Sequence, residues 1–482
     1  MPDLRPVFAV AGWLLAILAA AMLVPAAVDL ANGDSGWQAF VAAAALTLFF
    51  GVALLLANRQ RGWHPFTLKQ GFLVANVAWL SVALFGSLPF LFSGLGFSFT
   101  DAFFESMSGI TTTGVTIFRE LDAAPAGLLL WRALLNWLGG IGIIVTALAV
   151  LPVLQVGGMQ LFRLEGFGGE QGLPRAASLG VGIVLVYVVL TAAGALALIG
   201  AGMTAFDAVT HAMAAISTGG FSTRALSVGA YVGHAPQYVL IVLMLLGAMP
   251  FLQLLRAGQG KLTPLWRDSE ARWLLGLALA AALALALWLI DRKFYGEPDA
   301  LRVALFTAVS MLTGTGFVIA DPTPWGGLPI AMLVTLMFIG GAADSTTSGV
   351  KLFRVQIFVA EAHAALRRLT QPHGVFIPHF KRRPVPDEVN QQVIGYFSLF
   401  GLSYAVLAIG LGLLGLDLTT ALSAAASALA NAGGGFGDKL VAYGNFSGLP
   451  EAAKWWLAFG MLLGRLELIV LLVLFTRSFW RG

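Results

Sequence analysis

The sequence contains no cysteine among its 482 residues, and only 11% of its residues are charged. The absence of cysteine excludes disulfide bonds and thiolate chemistry, and it carries no information about the compartment. The six histidines, at positions 64, 211, 234, 363, 373 and 379, have no spacing typical of a metal site. No phosphate-cradling glycine motif follows a strand pattern, so control by a nucleotide would require a second polypeptide.

Hydrophobic side chains, by contrast, make up 58% of the residues, and the mean hydropathy is +0.85. One soluble core could not bury that much apolar surface, so we expect lipid to cover part of it. Roughly ten apolar stretches reach about 20 residues, the length that crosses the ~30 Å hydrocarbon layer. They lie near 8–28, 37–57, 71–93, 127–154, 181–203, 236–256, 273–290, 327–358, 392–414 and 455–475. The first lacks the dense basic start of a signal peptide and is interpreted as a spanning helix.

Lysine and arginine predict the orientation of these spans, because cytoplasmic loops retain positive charge. With the N-terminus inside, the cytoplasmic segments contain Arg5; Arg59, Arg61 and Lys69; Arg163 and Arg175; Arg256, Lys261, Arg267 and Arg272; Arg367, Arg368, Lys381, Arg382 and Arg383; and Arg477 and Arg481. An even number of spans with both termini in the cytoplasm is therefore predicted. The net charge of +4 reflects these loops, since no basic segment has the interleaved aromatic residues of a nucleic-acid surface.

Four similar segments of about 13 residues lie between the spans, and each is too short to cross a bilayer. They begin at Asp101, Asp207, Val303 and Thr420, and each has a glycine 13 residues later. Their last residues are Thr111-Thr112-Thr113-Gly114, Ser217-Thr218-Gly219-Gly220, Thr313-Gly314-Thr315-Gly316 and Ala430-Asn431-Ala432-Gly433, the last followed by Gly434 and Gly435. The alignment needs no gap, which predicts four copies of one structural unit.

Each segment is interpreted as a helix of about ten residues that enters the membrane halfway and ends there. Four such helices around one axis would direct their negative C-terminal ends toward a cation. The Thr, Ser and Gly residues that follow could offer backbone carbonyls in place of the hydration shell of an ion. The alternative is that these small residues only permit close helix packing. Four copies at one spacing favour the cation filter.

The sequence resembles the TrkH/KtrB/HKT superfamily of potassium transporters, specifically the TrkH branch, over nearly its whole length. Besides the four segments, the resemblance rests on Gly157 to Arg163, Gly340 to Lys351, and Gly464-Arg465-Leu466-Glu467. It implies an all-α polytopic membrane protein with four helix, pore-loop, helix repeats around a central pore and two additional N-terminal transmembrane helices. The corresponding divisions are 1–62 for the N-terminal hairpin and 63–160, 161–262, 263–372 and 373–482 for the four pore repeats.

The resemblance implies potassium uptake across the bacterial inner membrane, with potassium ions in the filter and no other cofactor. It also implies a homodimeric membrane unit and a cytosolic nucleotide-binding regulatory ring. Glycine in all four repeats accompanies potassium selectivity in this family, and those places are held here by Gly114, Gly220, Gly316 and Gly433. In the fourth repeat Gly434 replaces the usual proline, which leaves the filter boundary open between Gly433 and Gly435.

A polar, glycine-rich run from Gly340 to Gly349 interrupts the span near 327–358 and predicts a broken helix. The resemblance implies a gate under the filter; the alternative is a helix that ends at Gly340 and continues as a cytoplasmic loop. The residues assigned to gating are Gly340, Gly341, Asp344, Ser345, Gly349, Lys351 and Arg465. Asp344 replaces a small neutral residue of the family, and attraction of cations or pairing with Lys351 or Arg465 would each account for it.

Two charged residues, Arg465 and Glu467, stand in the apolar final span, where charges usually face a cavity or a partner. The resemblance implies that Arg465 is a positive barrier in the conduction path, and the alternative is a structural ion pair between helices. Glu467 is also the one obvious carboxylate for a proton path. Passive conduction and proton- or sodium-coupled symport therefore both remain open.

Other polar residues of the short segments have structural interpretations. Asp101 and Asp207 are predicted to cap the amide ends of short helices, and Glu105 is open between capping and attraction of ions. His211 is interpreted as a packing residue. A polytopic membrane enzyme would need convergent titratable groups, which the dispersed histidines do not provide. The loop that contains His373, His379 and Lys381 to Arg383 is a better docking surface.

Overall fold

The structure is a computed structural model that describes residues 3–59, 67–149, 172–437, 440 and 445–481. Within these ranges the regular secondary structure is helical apart from one hairpin of two short strands, β1 (His379–Phe380) and β2 (Arg383–Pro384), and one isolated bridge between Thr116 and Asn445. The predicted divisions after residues 62 and 160, and the stretch from Gly157 to Arg163, lie outside the described residues.

The helices follow one another in a simple order. They are α1 (Arg5–Asn32), α2 (Trp37–Ala57), α3 (Leu68–Gly86), α4 (Leu88–Phe92), α5 (Phe99–Ile110), α6 (Ala126–Ala149), α7 (Gly172–Gly200), α8 (Ala205–Ile216), α9 (Ala235–Ala248), α10 (Phe251–Gly258), α11 (Thr263–Arg267), α12 (Ser269–Asp291), α13 (Glu297–Leu312), α14 (Gly327–Ile339), α15 (Leu352–Thr370), α16 (Asp387–Leu413), α17 (Leu418–Ala430), α18 (Glu451–Arg465), α19 (Ile469–Leu472) and α20 (Arg477–Trp480).

Seven helices in the described ranges are long and apolar enough to cross a membrane, and two bent helix pairs also qualify. Together with α14 and α15, they account for the ten stretches predicted from hydropathy. Many of their large apolar side chains face outward, for example Trp13 at 60% and Phe49 at 66% exposure. Such a surface is suited to lipid, because water would not solvate it. The predicted class, an all-α polytopic membrane protein, is confirmed.

Three of the predicted spans are broken, although the sequence analysis expected a break only at Gly340. The stretches 236–256 and 455–475 were predicted as continuous spans, and this is wrong, since each bends by 108°. The first bend occurs at Pro250, which has no N–H for the helical hydrogen bond. The second occurs where Glu467 and Leu468 adopt φ values of 59° and 49°. There Glu467 turns away from the helix toward two cationic side chains.

The four short helices are α5, α8, α13 and α17, and each ends directly before one of the four glycine-containing sequences. Ser98, Thr204 and Asp417 cap three of them, because each side chain accepts a hydrogen bond from the third residue of its helix. Asp101 and Asp207 are the third residues of their helices, and their backbone N–H groups donate to the capping side chains. The prediction that these two aspartates cap the helices is therefore wrong. Asp101 instead pairs with Lys454 at 2.6 Å.

Candidate ion filter

We call residues 111–114, 217–220, 313–316 and 431–434 the filter segments. All four have a left-handed residue two positions before the aligned glycine: Thr112, Thr218, Gly314 and Asn431, with φ values of 54°, 51°, 72° and 48°. In each segment a backbone N–H also returns to a carbonyl of the preceding short helix. These bonds are Thr113 to Ser108 (2.9 Å), Gly219 to Ala214 (2.8 Å), Gly316 to Ser310 (3.2 Å) and Ala432 to Ser427 (3.0 Å). The chain thus reverses at the end of every short helix.

The filter segments contact one another in sequence order, and we call this arrangement the filter ring. A β-carbon added at Gly114 would overlap the carbonyl oxygen of Gly219, and one at Gly220 would overlap that of Thr315. A β-carbon at Gly316 would overlap the backbone of Gly433 in the same way. The ring closes between the fourth and first segments, where Asn431 Nδ2 donates to Thr113 Oγ1 at 3.0 Å.

Glycine at three of these places is required by conformation as well as by space. Gly114, Gly220 and Gly316 have φ values of 79°, 69° and 79°, a region that side chains with a β-carbon rarely adopt. The fourth segment differs, since its left-handed glycine is Gly434 with a φ of 120°. Gly433 nevertheless occupies the fourth place in the ring, because its N–H donates to the Gly314 carbonyl at 3.2 Å.

The chemistry of the ring is that of uncharged oxygens. The hydroxyls of Thr111 and Thr113 bond each other at 2.8 Å, and those of Thr313 and Thr315 do the same at 2.8 Å. No group of three or more His, Asp or Glu side chains suited to a metal ion occurs in the described part of the chain. The C-terminal ends of the short helices carry partial negative charge. A cation in the ring would therefore meet carbonyl and hydroxyl oxygens in a negative field.

The predicted broken span ends at Ile339 and resumes as a helix at Leu352. We call residues 340–349 the intramembrane loop. Its ends meet, because the N–H groups of Val350 and Lys351 donate to the carbonyls of Phe338 and Ile339, both at 2.9 Å. Gly340 and Gly349 have positive φ values of 71° and 82°, and Ser345 lies inside the loop with its hydroxyl 2.6 Å from the Ala342 carbonyl.

The intramembrane loop lies against the filter ring at the end nearest the short-helix C-termini, which we call the helix end. Thr346 Oγ1 lies 3.2 Å from Thr218 Oγ1 and donates to the carbonyls of Ile216 and Gly247. Close packing continues at Gly341, where a β-carbon would lie 2.7 Å from the Ala248 carbonyl. The loop therefore contacts the second filter segment directly.

Arg465 holds the intramembrane loop from the other side. Its Nη1 donates to the Thr346 carbonyl at 3.1 Å and to Ser348 Oγ at 2.9 Å, and its Nη2 donates to the Gly139 carbonyl at 2.9 Å. The side chain is only 1% exposed. No ion pair found among the described residues includes Arg465, so its positive charge lies beside the loop without a carboxylate partner.

Glu467 pairs with neighbours other than Arg465. Lys351 Nζ lies 3.2 Å from Glu467 Oε1, and Arg354 Nη2 forms an ion pair with Glu467 Oε2. Lys351 also donates to the Ala343 carbonyl at 3.0 Å. These contacts connect the start of α15, directly after the intramembrane loop, to the bend between α18 and α19.

Asp344 pairs with neither Lys351 nor Arg465. Its Oδ2 accepts the N–H of Leu252 at 2.9 Å, in the first turn of the helix that follows the Pro250 bend. A carboxylate there satisfies an amide with no helical partner and favours the positive helix end. Asp344 is therefore a cap, which the sequence analysis did not consider.

A second set of charges links the intramembrane loop to the hairpin of β1 and β2. Lys381 Nζ lies 3.1 Å from Asp268 Oδ2 and 3.2 Å from Glu270 Oε1. Glu270 Oε2 in turn accepts the N–H of Ala343 at 2.8 Å. The sequence analysis missed Glu270, because nothing in the linear sequence brings residues 270, 343 and 381 together.

The chain is similar to known proteins in sequence and in structure. The profile of the TrkH family, described as a cation transport protein, matches residues 36–481. The Trk system potassium uptake protein TrkI of Halomonas elongata is 38% identical, over 99% of this chain and 97% of its own length. The TrkH protein of Escherichia coli is 36% identical over 99% of both chains. The crystal structure of the potassium transporter TrkH from Vibrio parahaemolyticus has a TM-score of 0.92 at 36% identity, with complete coverage of both chains.

Proposed function

Because this chain belongs to the TrkH family of cation transport proteins, we propose that it takes up potassium through the filter ring. The filter ring supports this proposal, because its four segments, each with a left-handed residue two positions before the aligned glycine, contact one another in order around one centre. Carbonyl and hydroxyl oxygens there would replace the water that a potassium ion sheds on entry. The function is transport rather than catalysis.

Substitution of the ring glycines tests this assignment. Gly114→Ser should lower the preference for potassium over sodium by about tenfold, because it forces a β-carbon into a left-handed conformation and against the Gly219 carbonyl. Gly96→Ser is the matched control, since Gly96 has a φ of 77° but no atom within 4 Å of its β-carbon position. Both are measured as potassium flux into proteoliposomes with sodium as competitor. Unchanged competition in folded Gly114→Ser and in the equivalent variants at Gly220, Gly316 and Gly433 would exclude the assignment.

We also propose that the intramembrane loop is the gate and that conduction is passive. The loop contacts Thr218 at the helix end of the ring, where it would obstruct a leaving ion. Proton-coupled transport would need a carboxylate that exchanges a proton, and Glu467 is the candidate. Protonation of Glu467 would break two buried ion pairs, to Lys351 and Arg354. This observation favours passive conduction over proton-coupled symport.

The proposal also covers the membrane location, the boundaries of the pore repeats and the partner proteins. We propose a location in the bacterial inner membrane with both termini in the cytoplasm, supported by the distribution of Lys and Arg. The pore repeats would divide near residues 62, 160, 262 and 372. We propose a homodimeric membrane unit with a cytosolic nucleotide-binding ring as regulatory partner. The basic hairpin is the proposed docking surface, because Lys381 connects it through Glu270 to Ala343 in the gate.

A further inference from the structure

A buried ion pair lies at the opposite end of the filter ring from the gate. We call this the glycine end, because the aligned glycines precede it. Arg132 Nε lies 2.7 Å from Glu105 Oε1, and the two side chains are 1% and 0% exposed. Glu105 belongs to the first short helix and Arg132 to α6 of the same repeat. Glu105 is therefore neither a helix cap nor an exposed charge that attracts ions.

Glu105 fixes the chain that leaves the first filter segment. Its carboxylate accepts hydrogen bonds from Thr116 Oγ1 at 2.9 Å and from the N–H of Ile117 at 2.9 Å. These residues lie two and three positions after Gly114. The start of the segment is held to the same helix by the bond from Thr111 N–H to the Met107 carbonyl at 3.0 Å. The first filter segment is thus attached to its short helix at both ends.

Arg132 extends this attachment to the second filter segment. Its Nη1 donates to the Ser222 carbonyl at 2.7 Å, two residues after Gly220, and its guanidinium lies 4.1 Å from the ring centre of Phe221. The Ser222 hydroxyl bonds His211 Nε2 at 2.9 Å. His211 Nδ1 lies 2.7 Å from the Asp207 carbonyl, so Nδ1 carries a proton and neutral Nε2 accepts from the serine.

The four repeats differ at this position. Nine residues before the aligned glycine stand Glu105, His211, Thr307 and Ala424. Thr307 is 2% exposed, and its hydroxyl finds no hydrogen-bond partner among the described residues. At this position, therefore, the described part of the chain has a charged link between the first and second segments only. Buried ion pairs are often no more stabilising than apolar residues of similar volume, so stability alone does not account for this pair.

We infer that Glu105 and Arg132 are positioning residues for ion selectivity, which set the spacing of the first and second filter segments at the glycine end. The inference rests on the proposed potassium filter. The pair is neutral as a whole, so it acts on the position of the carbonyls rather than on the charge along the path. An arginine suits this role because its planar fork can reach Glu105 and the Ser222 carbonyl together.

The test compares Glu105→Gln with Thr307→Val in the full-length protein in proteoliposomes. Glu105→Gln keeps the shape of the side chain but removes its charge. It should lower the preference for potassium over sodium by about tenfold, which corresponds to the lower end of the free energy contributed by one charge-assisted hydrogen bond. Total flux should fall less than selectivity. Thr307→Val, at the same position of the third repeat, should leave the preference unchanged. Arg132→Lys should give a loss between the two.

The possible results distinguish a failure of this positioning role from a failure of the proposed potassium transport. Wild-type protein without potassium flux would reject the proposed function. A selective wild type with an equally selective, folded Glu105→Gln would reject the inference alone and leave the pair a structural one. If Glu105→Gln is not recovered folded, Glu105→Asp, which keeps the charge on a shorter stem, is measured instead. Wild-type selectivity in that variant would likewise reject the inference.

Discussion

At the glycine end of the filter ring, Glu105 and Arg132 bind two filter segments within a fully buried pair. At the helix end, the ring meets a loop that is held by hydroxyls, carbonyls and Arg465, which has no carboxylate partner in the described part of the chain. Separating the buried pair would leave charges without partners, which is costly. Moving the loop would break ordinary hydrogen bonds, each of which is worth far less. From this comparison we propose that selectivity is set at the glycine end and gating at the helix end of one ring.

Shortening the intramembrane loop should give the largest effect. A deletion of Ser345 to Thr347 removes the contacts of Thr346 to Thr218 and to Arg465, so it should raise potassium flux by more than about tenfold without any cytosolic partner. Selectivity should persist, because the glycine end is untouched. Single-molecule currents measure both quantities. A folded deletion variant with wild-type conductance would refute the assignment of the loop as gate.

Arg465→Ala should act in the same direction, and roughly as strongly. At an effective dielectric of about 20, one charge about 6 Å from an ion costs about 3 kcal/mol, an upper limit of roughly a hundredfold in rate. The substitution also releases Thr346 and Ser348. Arg465→Lys, the matched control, keeps the charge and should change flux much less. Loss of thermal stability with unchanged flux in Arg465→Ala would instead indicate a purely structural residue.

Lys381→Gln should have a smaller effect, a few-fold rise in flux in the absence of a partner. It removes two ion pairs that hold the hairpin to Asp268 and Glu270, and partial exposure of Lys381 weakens them. Arg382→Gln serves as control, because Arg382 is exposed on the same turn. Equal fluxes in the two variants would show that the hairpin does not act on the gate through Glu270.

Asp344→Ala should have the smallest effect on flux, and it should mainly lower the stability of the protein. Loss of its bond to the Leu252 N–H costs about 1 kcal/mol, the usual worth of a helix cap. Asp344→Asn preserves an oxygen acceptor and should keep most of that stability. Thermal unfolding in detergent compares the two variants. A large change of flux in Asp344→Asn would show that the carboxylate charge acts on the ion after all.

The periodic features of the sequence predicted the fold well. The ten apolar stretches all correspond to helices or helix pairs, since hydropathy over about 20 residues is a local property that lipid enforces directly. The four glycines at one spacing predicted four equivalent turns. The bends at Pro250 and Glu467 were missed because both stretches are apolar enough to cross without one. Only the partners across the fold, such as Lys351 and Arg354, make the second bend favourable.

Sequence alone thus determined that this is a membrane protein with four repeated half-membrane segments, because length, apolarity and glycine spacing are written along the chain. The tertiary structure decided which charges meet. Asp344 became a helix cap, Glu467 the partner of Lys351 and Arg354, and Glu105 the partner of Arg132. In a low-dielectric interior a buried charge is costly unless it is paired or hydrogen-bonded, and the partner is chosen by proximity in space, as for Lys351 and Glu467, which are far apart in sequence.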